Sequence, residues 1–163
     1  MNKCQERKPH DHYQTRTEAL LAVDDIVEQV YNILKDSQKL EDTHIIYSRD
    51  NGFHLGQHCL GGGKKFAFEE DTNVSLIIRG PGVLKGRKTS IVTAHVDLSP
   101  TILEMAEMKQ RAEFDGRKIP ITEGDLIQRE NNDADEYTNV EFWEGASYNC
   151  WSSSSPYYMR TKY

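Results

Sequence analysis

An apolar stripe in residues 15–35 constrains the fold of this chain more than any other feature. Apolar side chains recur there at intervals of three and four residues, at Leu20, Val23, Val27, Val30 and Leu34. This spacing places them on one face of an α-helix, which must be buried against another element. Thr15 and Glu18 have the spacing of a capping box, which predicts a helix that begins at Thr15 and ends at the polar residues 36–39.

Short segments rich in β-branched or aromatic residues follow the helix and are predicted to be strands. They are residues 43–48, 74–79 and 90–94. The first is apolar on both faces, which is typical of a strand inside a sheet. A second helix is predicted next, with Ser99 as its N-cap, Pro100 at its first position and its end near Lys109. Helices that alternate with buried strands indicate an α/β sandwich.

The remainder of the chain carries weaker signals. Residues 111–137 are mostly polar and predict a loop, and Val140–Trp143 predict a last strand. The acidic run at residues 69–71 is typical of a solvated face. His95 and Asp97 lie in a connection between a strand and a helix, so we expect a hydrogen-bonded histidine and a carboxylate that holds the loop.

Composition argues against several classes of function. The chain has a formal net charge of −6 and no basic run that would follow a phosphate backbone, so a nucleic-acid partner is not expected. It has no apolar run long enough to span a membrane and no apolar stretch typical of a secretory signal. Cys4, Cys59 and Cys150 are too scattered for a disulfide framework or a Cys-x-x-Cys metal site.

Asp50, Asn51 and Gly52 come at the carboxyl end of the first predicted strand. Ligands of open α/β sheets bind at this end of the strands. Adjacent carboxylate and amide oxygens suit a hard cation such as calcium or magnesium. The same residues also fit an ordinary turn, because Gly52 lets the chain bend without a Cβ clash. The residues alone favour the ordinary turn over the metal site.

Basic side chains follow this turn within a glycine-rich loop. If the loop bends back, His54, His58 and Lys64 would lie near the cation. Such a group suits a tetrahedral oxyanion, with the lysine as a mobile point charge and the imidazoles as donors or proton carriers.

An ordered series of segments between residues 12 and 143 carries a resemblance to a known family. The segments are HYQTRTEALLAVDDIVEQV, IIYSRDNGFHLGQH, Lys64, FEEDTNVSLIIRGPG, HVDLSPTILEMA and FDGRKIPIT. Together they resemble the C-terminal part of a sulfatase catalytic domain, particularly fungal arylsulfatases and glucosamine-6-sulfatase-like enzymes. The resemblance implies a partial α/β/α sandwich of the alkaline phosphatase superfamily that lacks its N-terminal strands. It divides the chain into a disordered or frayed tail at 1–12, a partial catalytic domain at 13–143 and a divergent polar tail at 144–163.

The resemblance also implies an activity, which is hydrolysis of an aryl or sugar sulfate ester by a calcium-dependent enzyme. The family's nucleophile is a formylglycine made within a Cys/Ser-x-Pro-x-Arg motif. Asp50 and Asn51 match metal ligands of the family, and Lys64 matches the lysine that contacts sulfate. His54 and His58 fall where the family often places pocket residues.

The printed sequence contains no Cys/Ser-x-Pro-x-Arg motif. Ser154-Ser155-Pro156 begins like it, but Tyr158 stands at the arginine position. Asp24 and Asp25 form an aspartate pair like the family's first metal ligands, yet they fall on the solvated side of the predicted helix. We therefore expect an incomplete calcium site and an isolated chain that is inactive, poorly stable and prone to self-association through an open sheet edge.

Two further hypotheses stay open. The chain could belong to a phosphoester or phosphonate hydrolase of the same superfamily, which shares the same metal pair. It could also be a non-catalytic, truncated relative that acts as an interaction protein. The family is commonly secreted or lysosomal, and this chain carries no signal peptide, so the sequence leaves its compartment undetermined.

Overall fold

The structure is a computed structural model that describes residues 3–59, 62–64, 66–130, 137–141 and 158–162. The helices are α1 (Lys3–Asp36), α2 (Glu69–Thr72), α3 (Leu98–Met105) and α4 (Glu123–Glu130). The strands are β1 (Ile45–Tyr47), β2 (Ile77–Arg79), β3 (Tyr137–Glu141) and β4 (Tyr158–Lys162). Short 3₁₀ turns lie at Leu40–Asp42, Gln57–Cys59 and His95–Asp97.

Helix α1 begins at Lys3, so the predicted start at Thr15 is wrong. Thr15 lies inside the helix, where its Oγ1 donates a hydrogen bond of 3.0 Å to the carbonyl of Asp11. A threonine hydroxyl can bond to the preceding turn in this way and does not need to cap a helix. The division of the chain into segments 1–12, 13–143 and 144–163 stays a prediction.

The end of α1 is as predicted. The helix stops at Asp36, and Gln38 has a positive φ of 58°. The amide of Lys39 donates to the carbonyl of Leu34 at 2.9 Å, and that of Gln38 donates to Lys35 at 3.0 Å. These two bonds form a Schellman motif, which satisfies the last carbonyls of the helix.

The apolar stripe of α1 is largely uncovered within the described residues. Val27 and Val30 keep 45% and 42% of their surface exposed. The C-terminal end of the helix approaches β2, where the guanidinium of Arg79 lies 5.6 Å from the centre of the Tyr31 ring. The stripe therefore has the predicted periodicity, but most of it lacks the burial that the pattern predicts.

Strands β1 and β2 form an antiparallel pair in which Ile46 lies opposite Ile78. Both fall inside segments that were predicted to be strands. The third predicted strand, residues 90–94, is wrong, because this segment is extended but forms no ladder with another described strand. A second antiparallel pair joins β3 to β4. The predicted strand Val140–Trp143 overlaps β3 at Val140 and Glu141, and its other residues lie outside the described part of the chain.

Helix α3 starts two residues earlier than predicted. Its N-cap is Asp97 rather than Ser99, and it ends at Met105 rather than near Lys109. The Asp97 carboxylate accepts hydrogen bonds of 2.8 Å from the amides of Ala94 and Arg117. It thereby joins two loops at the start of the helix. This confirms the prediction that Asp97 holds the loop.

Helix α4 lies inside residues 111–137, which were predicted to be a loop. Its start has a reciprocal pair of hydrogen bonds, because the Thr122 hydroxyl donates to Asp125 at 2.8 Å and accepts from the Asp125 amide at 3.2 Å. A threonine followed three residues later by an acidic residue is a signal for a helix start, and it was present in the sequence.

The buried apolar side chains are few. Among the described residues they are Leu40, Pro100, Ile119 and Leu126. Thr101 is 1% exposed, and its hydroxyl accepts a hydrogen bond of 2.8 Å from the amide of Ile119. Within the described part of the chain, no helix has the length and apolar character needed to cross a membrane.

Candidate anion and metal site

The turn after β1 holds Asp50 and Asn51 at the surface of the molecule. The Asp50 side chain is exposed and its Oδ1 accepts a hydrogen bond of 2.9 Å from the Asn51 amide. The Asn51 side chain donates from Nδ2 to the carbonyl of Gly52 at 2.7 Å. This bond fixes the orientation of the Asn51 amide group and leaves its Oδ1 directed away from the backbone turn.

Gly52 is required by a close approach of two segments of backbone. Its amide donates to the carbonyl of Asp71 at 2.8 Å. A Cβ atom on Gly52 would lie 1.9 Å from the carbonyl oxygen of Glu70. The turn that carries Asn51 is therefore held directly against helix α2.

The glycine-rich loop bends back, which was the condition for bringing Lys64 to the turn after β1. His54 and Gly63 exchange two backbone hydrogen bonds, of 2.9 and 3.0 Å. This bridge returns the chain to the turn after β1, where Lys64 Nζ donates to Asn51 Oδ1 at 3.1 Å. The predicted anion-binding lysine and one of the predicted metal ligands are thus in direct contact.

His54 is buried and lies behind this pair. It is 2% exposed, and its Nδ1 lies 2.8 Å from both carboxylate oxygens of Asp71, which is 5% exposed. The prediction that residues 69–71 form a solvated face is therefore wrong for Asp71. A buried carboxylate is costly unless it is paired and hydrogen-bonded, and His54 provides that compensation.

His58 lies nearer to solvent than His54. Its side chain is 44% exposed, its Nε2 lies 3.2 Å from Glu70 Oε2, and its ring stacks on Phe68 with the ring centres 4.0 Å apart. The pKa of Glu70 is lowered, chiefly by a hydrogen bond from its own backbone and then by His58. Glu70 therefore keeps its charge at mildly acidic pH and can hold the imidazole.

His95 does not join this group as a free side chain. Its Nε2 lies 2.6 Å from the carbonyl of Arg49, which confirms the prediction of a hydrogen-bonded histidine. His95 and Ser48 line a cleft of about 540 Å³ that runs beside the extended residues 89–94. None of the predicted site residues lines that cleft.

The oxygen donors present fit part of a calcium site. Asp50 and Asn51 offer adjacent carboxylate and amide oxygens, the hard ligands that calcium prefers. Within the described residues, no cluster of three or more His, Cys, Asp or Glu side chains is placed to hold a metal. Since calcium takes about six to eight oxygens, these two side chains would need further ligands from elsewhere.

Sequence reasoning missed three residues that build this region. Asp71 pairs with the buried ring of His54, while Glu70 pairs with His58 and Phe68 stacks on the His58 ring. The only signal in the sequence was the presence of acidic and aromatic residues within twenty positions of the histidines, and this does not specify a pairing.

Comparison with known proteins gives the family of this chain. The sequence profile of the Sulfatase family matches residues 2–108. The chain therefore belongs to the sulfatase family. Sulfatase ppz1 of Metarhizium majus is 42% identical over 123 residues, which cover 75% of this chain and 28% of that protein. The N-acetylglucosamine-6-sulfatase of Bos taurus is 37% identical over 114 residues, which cover 69% of this chain and 20% of that protein.

Solved structures support the same assignment. The structure of BT4656 in complex with its substrate D-glucosamine-2-N,6-O-disulfate superposes with a TM-score of 0.70 at 27% identity, and covers 88% of this chain and 28% of that chain. The phosphonate monoester hydrolase SpPMH of Silicibacter pomeroyi gives a TM-score of 0.65 at 30% identity, and the match covers 74% of this chain and 23% of that chain. These neighbours confirm the predicted fold class, a partial α/β fold of the alkaline phosphatase superfamily.

Proposed function

We propose that this chain supplies part of the metal and sulfate site of a sulfatase, and that the complete enzyme hydrolyses a sulfate ester of an aryl or sugar substrate. The observation that carries the proposal is the contact of 3.1 Å between Lys64 Nζ and Asn51 Oδ1. It brings a cation that suits a sulfate oxygen next to an oxygen donor that suits a metal.

Each residue of the site has a role that follows from its position. Lys64 is exposed and would place its ammonium against a sulfate oxygen as negative charge develops there. Asp50 and Asn51 would hold a calcium ion, whose charge would polarise the sulfate group when bound. His58 is half-exposed and its Nε2 is held by Glu70, so it would border the substrate beside Lys64. His54 is buried and would act through the loop rather than on the substrate.

The nucleophile is not among these residues. The family's nucleophile is a formylglycine, and the printed sequence has no Cys/Ser-x-Pro-x-Arg motif from which one is made. We propose that hydrolysis needs this group in addition to the residues described above, and that the 163 residues alone are inactive.

A sugar sulfate is the favoured substrate class. The solved structure of BT4656 holds a disulfated glucosamine as its substrate, and it aligns over 88% of this chain. The proposed ligand is therefore a sulfate ester on a sugar hydroxyl, with an aryl sulfate as a simpler probe of the same chemistry.

A phosphonate monoester is the second candidate substrate. It is favoured by one observation, the 30% identity to a phosphonate monoester hydrolase over 74% of this chain. Phosphonates and sulfates are both tetrahedral oxyanions, and a lysine acts on either as a point charge. Asn51 and Lys64 therefore do not distinguish a sulfate ester from a phosphonate monoester as the substrate.

The test starts from the 5′ end of the transcript. We expect an in-frame extension that encodes a Cys/Ser-x-Pro-x-Arg motif, and we expect the extended protein to hydrolyse 4-nitrocatechol sulfate. Replacing Lys64 with alanine should then lower kcat by about 10²–10³, as for removal of one group that stabilises developing charge.

Two results would contradict this proposal. Cleavage of an aryl phosphonate monoester without cleavage of the aryl sulfate would favour the second candidate. A transcript that starts at Met1 and encodes no such motif would mean that hydrolysis should not be attributed to this chain, and would favour a non-catalytic relative.

A further inference from the structure

Asp71 contacts both segments that carry the Asn51–Lys64 pair. Its backbone carbonyl accepts from the amide of Gly52 at 2.8 Å, one residue after Asn51. Its carboxylate accepts at 3.0 Å from the amide of His54 through Oδ1 and from the amide of Phe66 through Oδ2. One residue is therefore bonded to the chain on the carboxyl side of Asn51 and on the carboxyl side of Lys64.

The His54 side chain completes this arrangement. Its Nδ1 lies 2.8 Å from the Asp71 carboxylate, and its ring packs against the Gly63 backbone, where an added Cβ would lie 3.0 Å from Nε2. Both side chains are almost fully buried, at 3% exposure for His54 and 2% for Asp71. Hydrogen bonds to a buried charge are stronger than those between exposed groups, so these contacts define the local geometry.

The contact between Lys64 and Asn51 is weak by comparison. Lys64 is exposed and has a long flexible side chain, and ordering such a side chain at the surface costs conformational entropy. A single exposed hydrogen bond would not hold its ammonium in one place. The positions of the two backbones must therefore be set by contacts elsewhere.

We propose that Asp71 is a positioning residue that sets the separation of Asn51 and Lys64. Asp71 forms no hydrogen bond with Asn51 or Lys64 among the contacts of the described residues. Its carboxylate holds the backbone that follows Asn51 through the amide of His54, and the backbone that follows Lys64 through the amide of Phe66. The use of this pair to bind a sulfate group rests on the proposed function, but the positioning itself does not.

The test is a double-mutant cycle read by NMR on the full chain without ligand. The signal is the side-chain amide of Asn51, which senses the ammonium of Lys64. Lys64→Met should shift this signal in the wild-type background. In Asp71→Asn, the same substitution should cause a smaller shift, because asparagine has one acceptor oxygen where the carboxylate has two and cannot hold the amides of both His54 and Phe66. Glu69→Gln is the matched control, since Glu69 is an exposed acid in the same helical turn, and it should leave the shift unchanged.

A folded Asp71→Asn variant in which Lys64→Met shifts Asn51 as much as in wild type would overturn the proposal. A general loss of stability would not abolish the coupling in the folded molecules, so the readout separates positioning from folding. If Asp71→Asn does not fold, hydrogen exchange of the wild-type chain decides. The amides of His54 and Phe66 should be protected to within about tenfold of each other, and an unprotected amide at either position would overturn the proposal.

This experiment is independent of the sulfate site. Failure of wild type to bind sulfate would count against the proposed function and leave the coupling between Asp71, Asn51 and Lys64 intact. If sulfate does bind, Asp71→Asn should weaken its binding, by a smaller factor than Lys64→Met, which removes the charge itself.

Discussion

Gly52 lies where the turn after β1 meets the backbone of helix α2. The position tolerates no side chain, since a Cβ would come within 1.9 Å of the Glu70 carbonyl oxygen. Its amide also bonds to the carbonyl of Asp71. The placement of Asn51 therefore depends on the absence of a single methyl group at the next residue.

Replacing Gly52 with alanine should consequently lower the free energy of local opening at this turn by about 1–3 kcal/mol, the usual cost of overpacking. Hydrogen exchange of the His54 amide would measure the change, because it reports local opening and needs no cooperative global transition. Gly124→Ala is the matched control, because Gly124 lies in helix α4 with nothing within 4 Å of its Cβ position. There alanine should be neutral or should stabilise the helix by about 0.5–1 kcal/mol. Equal effects of the two substitutions would contradict the described packing.

At the residue scale, the sequence predicts the surroundings of some side chains and not of others. The role of Lys64 stays a prediction from the resemblance, and its approach to Asn51 was expected only on the condition that the glycine-rich loop bends back. The burial of Asp71 could not be predicted, since it depends on residues 17 positions away packing over the carboxylate. An acidic run is normally solvated, and only the tertiary contact with His54 reverses that expectation.

At the scale of elements, helices α3 and α4 are linked by Lys118. Its Nζ lies 3.1 Å from Glu104 Oε1 in α3 and 3.2 Å from Asp125 Oδ1 in α4. Lys118 lowers the pKa of Glu104. The pKa of Asp125 is also lowered, mainly by the hydrogen bond from the Thr122 hydroxyl and to a smaller extent by Lys118. The pKa of Lys118 is raised, first by Glu104 and then by Asp125.

These shifts predict a pH dependence with a definite sign. The two carboxylates stabilise the fold above their ordinary pKa values of 4.5 and 3.8, and this contribution is lost as the pH falls through the lower folded values. The lysine contributes below its ordinary value of 10.5 and loses its contribution as the pH rises through the higher folded value. Lys118→Met should therefore destabilise the chain at neutral pH and less so in strong acid. Urea denaturation at neutral and acidic pH would show this, and an equal loss at both would contradict it.

The structure confirms the predicted elements whose sequence pattern is local. The end of α1 and the positions of β1 and β2 follow from apolar spacing and polar breaks within a few residues. Residues 90–94 have strand composition, but a strand also needs a partner, and none is provided within the described part of the chain. Helix α4 was missed because its charged residues outweighed the capping signal at Thr122 and Asp125.

At the scale of the whole molecule, the chain buries little apolar surface for its length. The buried apolar residues in the part that the structure describes are Leu40, Pro100, Ile119 and Leu126, while Ile26 and Ile33 of α1 are 58% and 65% exposed. The chain spans 28% of the length of its fungal relative. An exposed apolar face of this kind favours association and weakens cooperative folding.

We therefore predict that the isolated chain unfolds with low cooperativity and associates as its concentration rises. Scanning calorimetry should show a calorimetric enthalpy well below about 0.7 kcal/mol per residue, and sedimentation should show mass that grows with concentration. Val30→Lys on the stripe should reduce association, whereas Glu28→Lys, an exposed substitution on the same helix, should not. A soluble monomer with a single cooperative transition would contradict this prediction.

The claim that Asn51 and Lys64 form an anion site is tested most directly by titration of the chain with inorganic sulfate in the presence of calcium, followed by NMR. The amides of Asn51 and Gly52 should shift, and Lys64→Ala should weaken sulfate binding by about tenfold or more, the value of a charge-assisted hydrogen bond. Lys85→Ala, which removes an exposed lysine from another loop, should leave the affinity unchanged. Equal effects of the two substitutions, or shifts confined to residues away from Asn51, would contradict the proposed site.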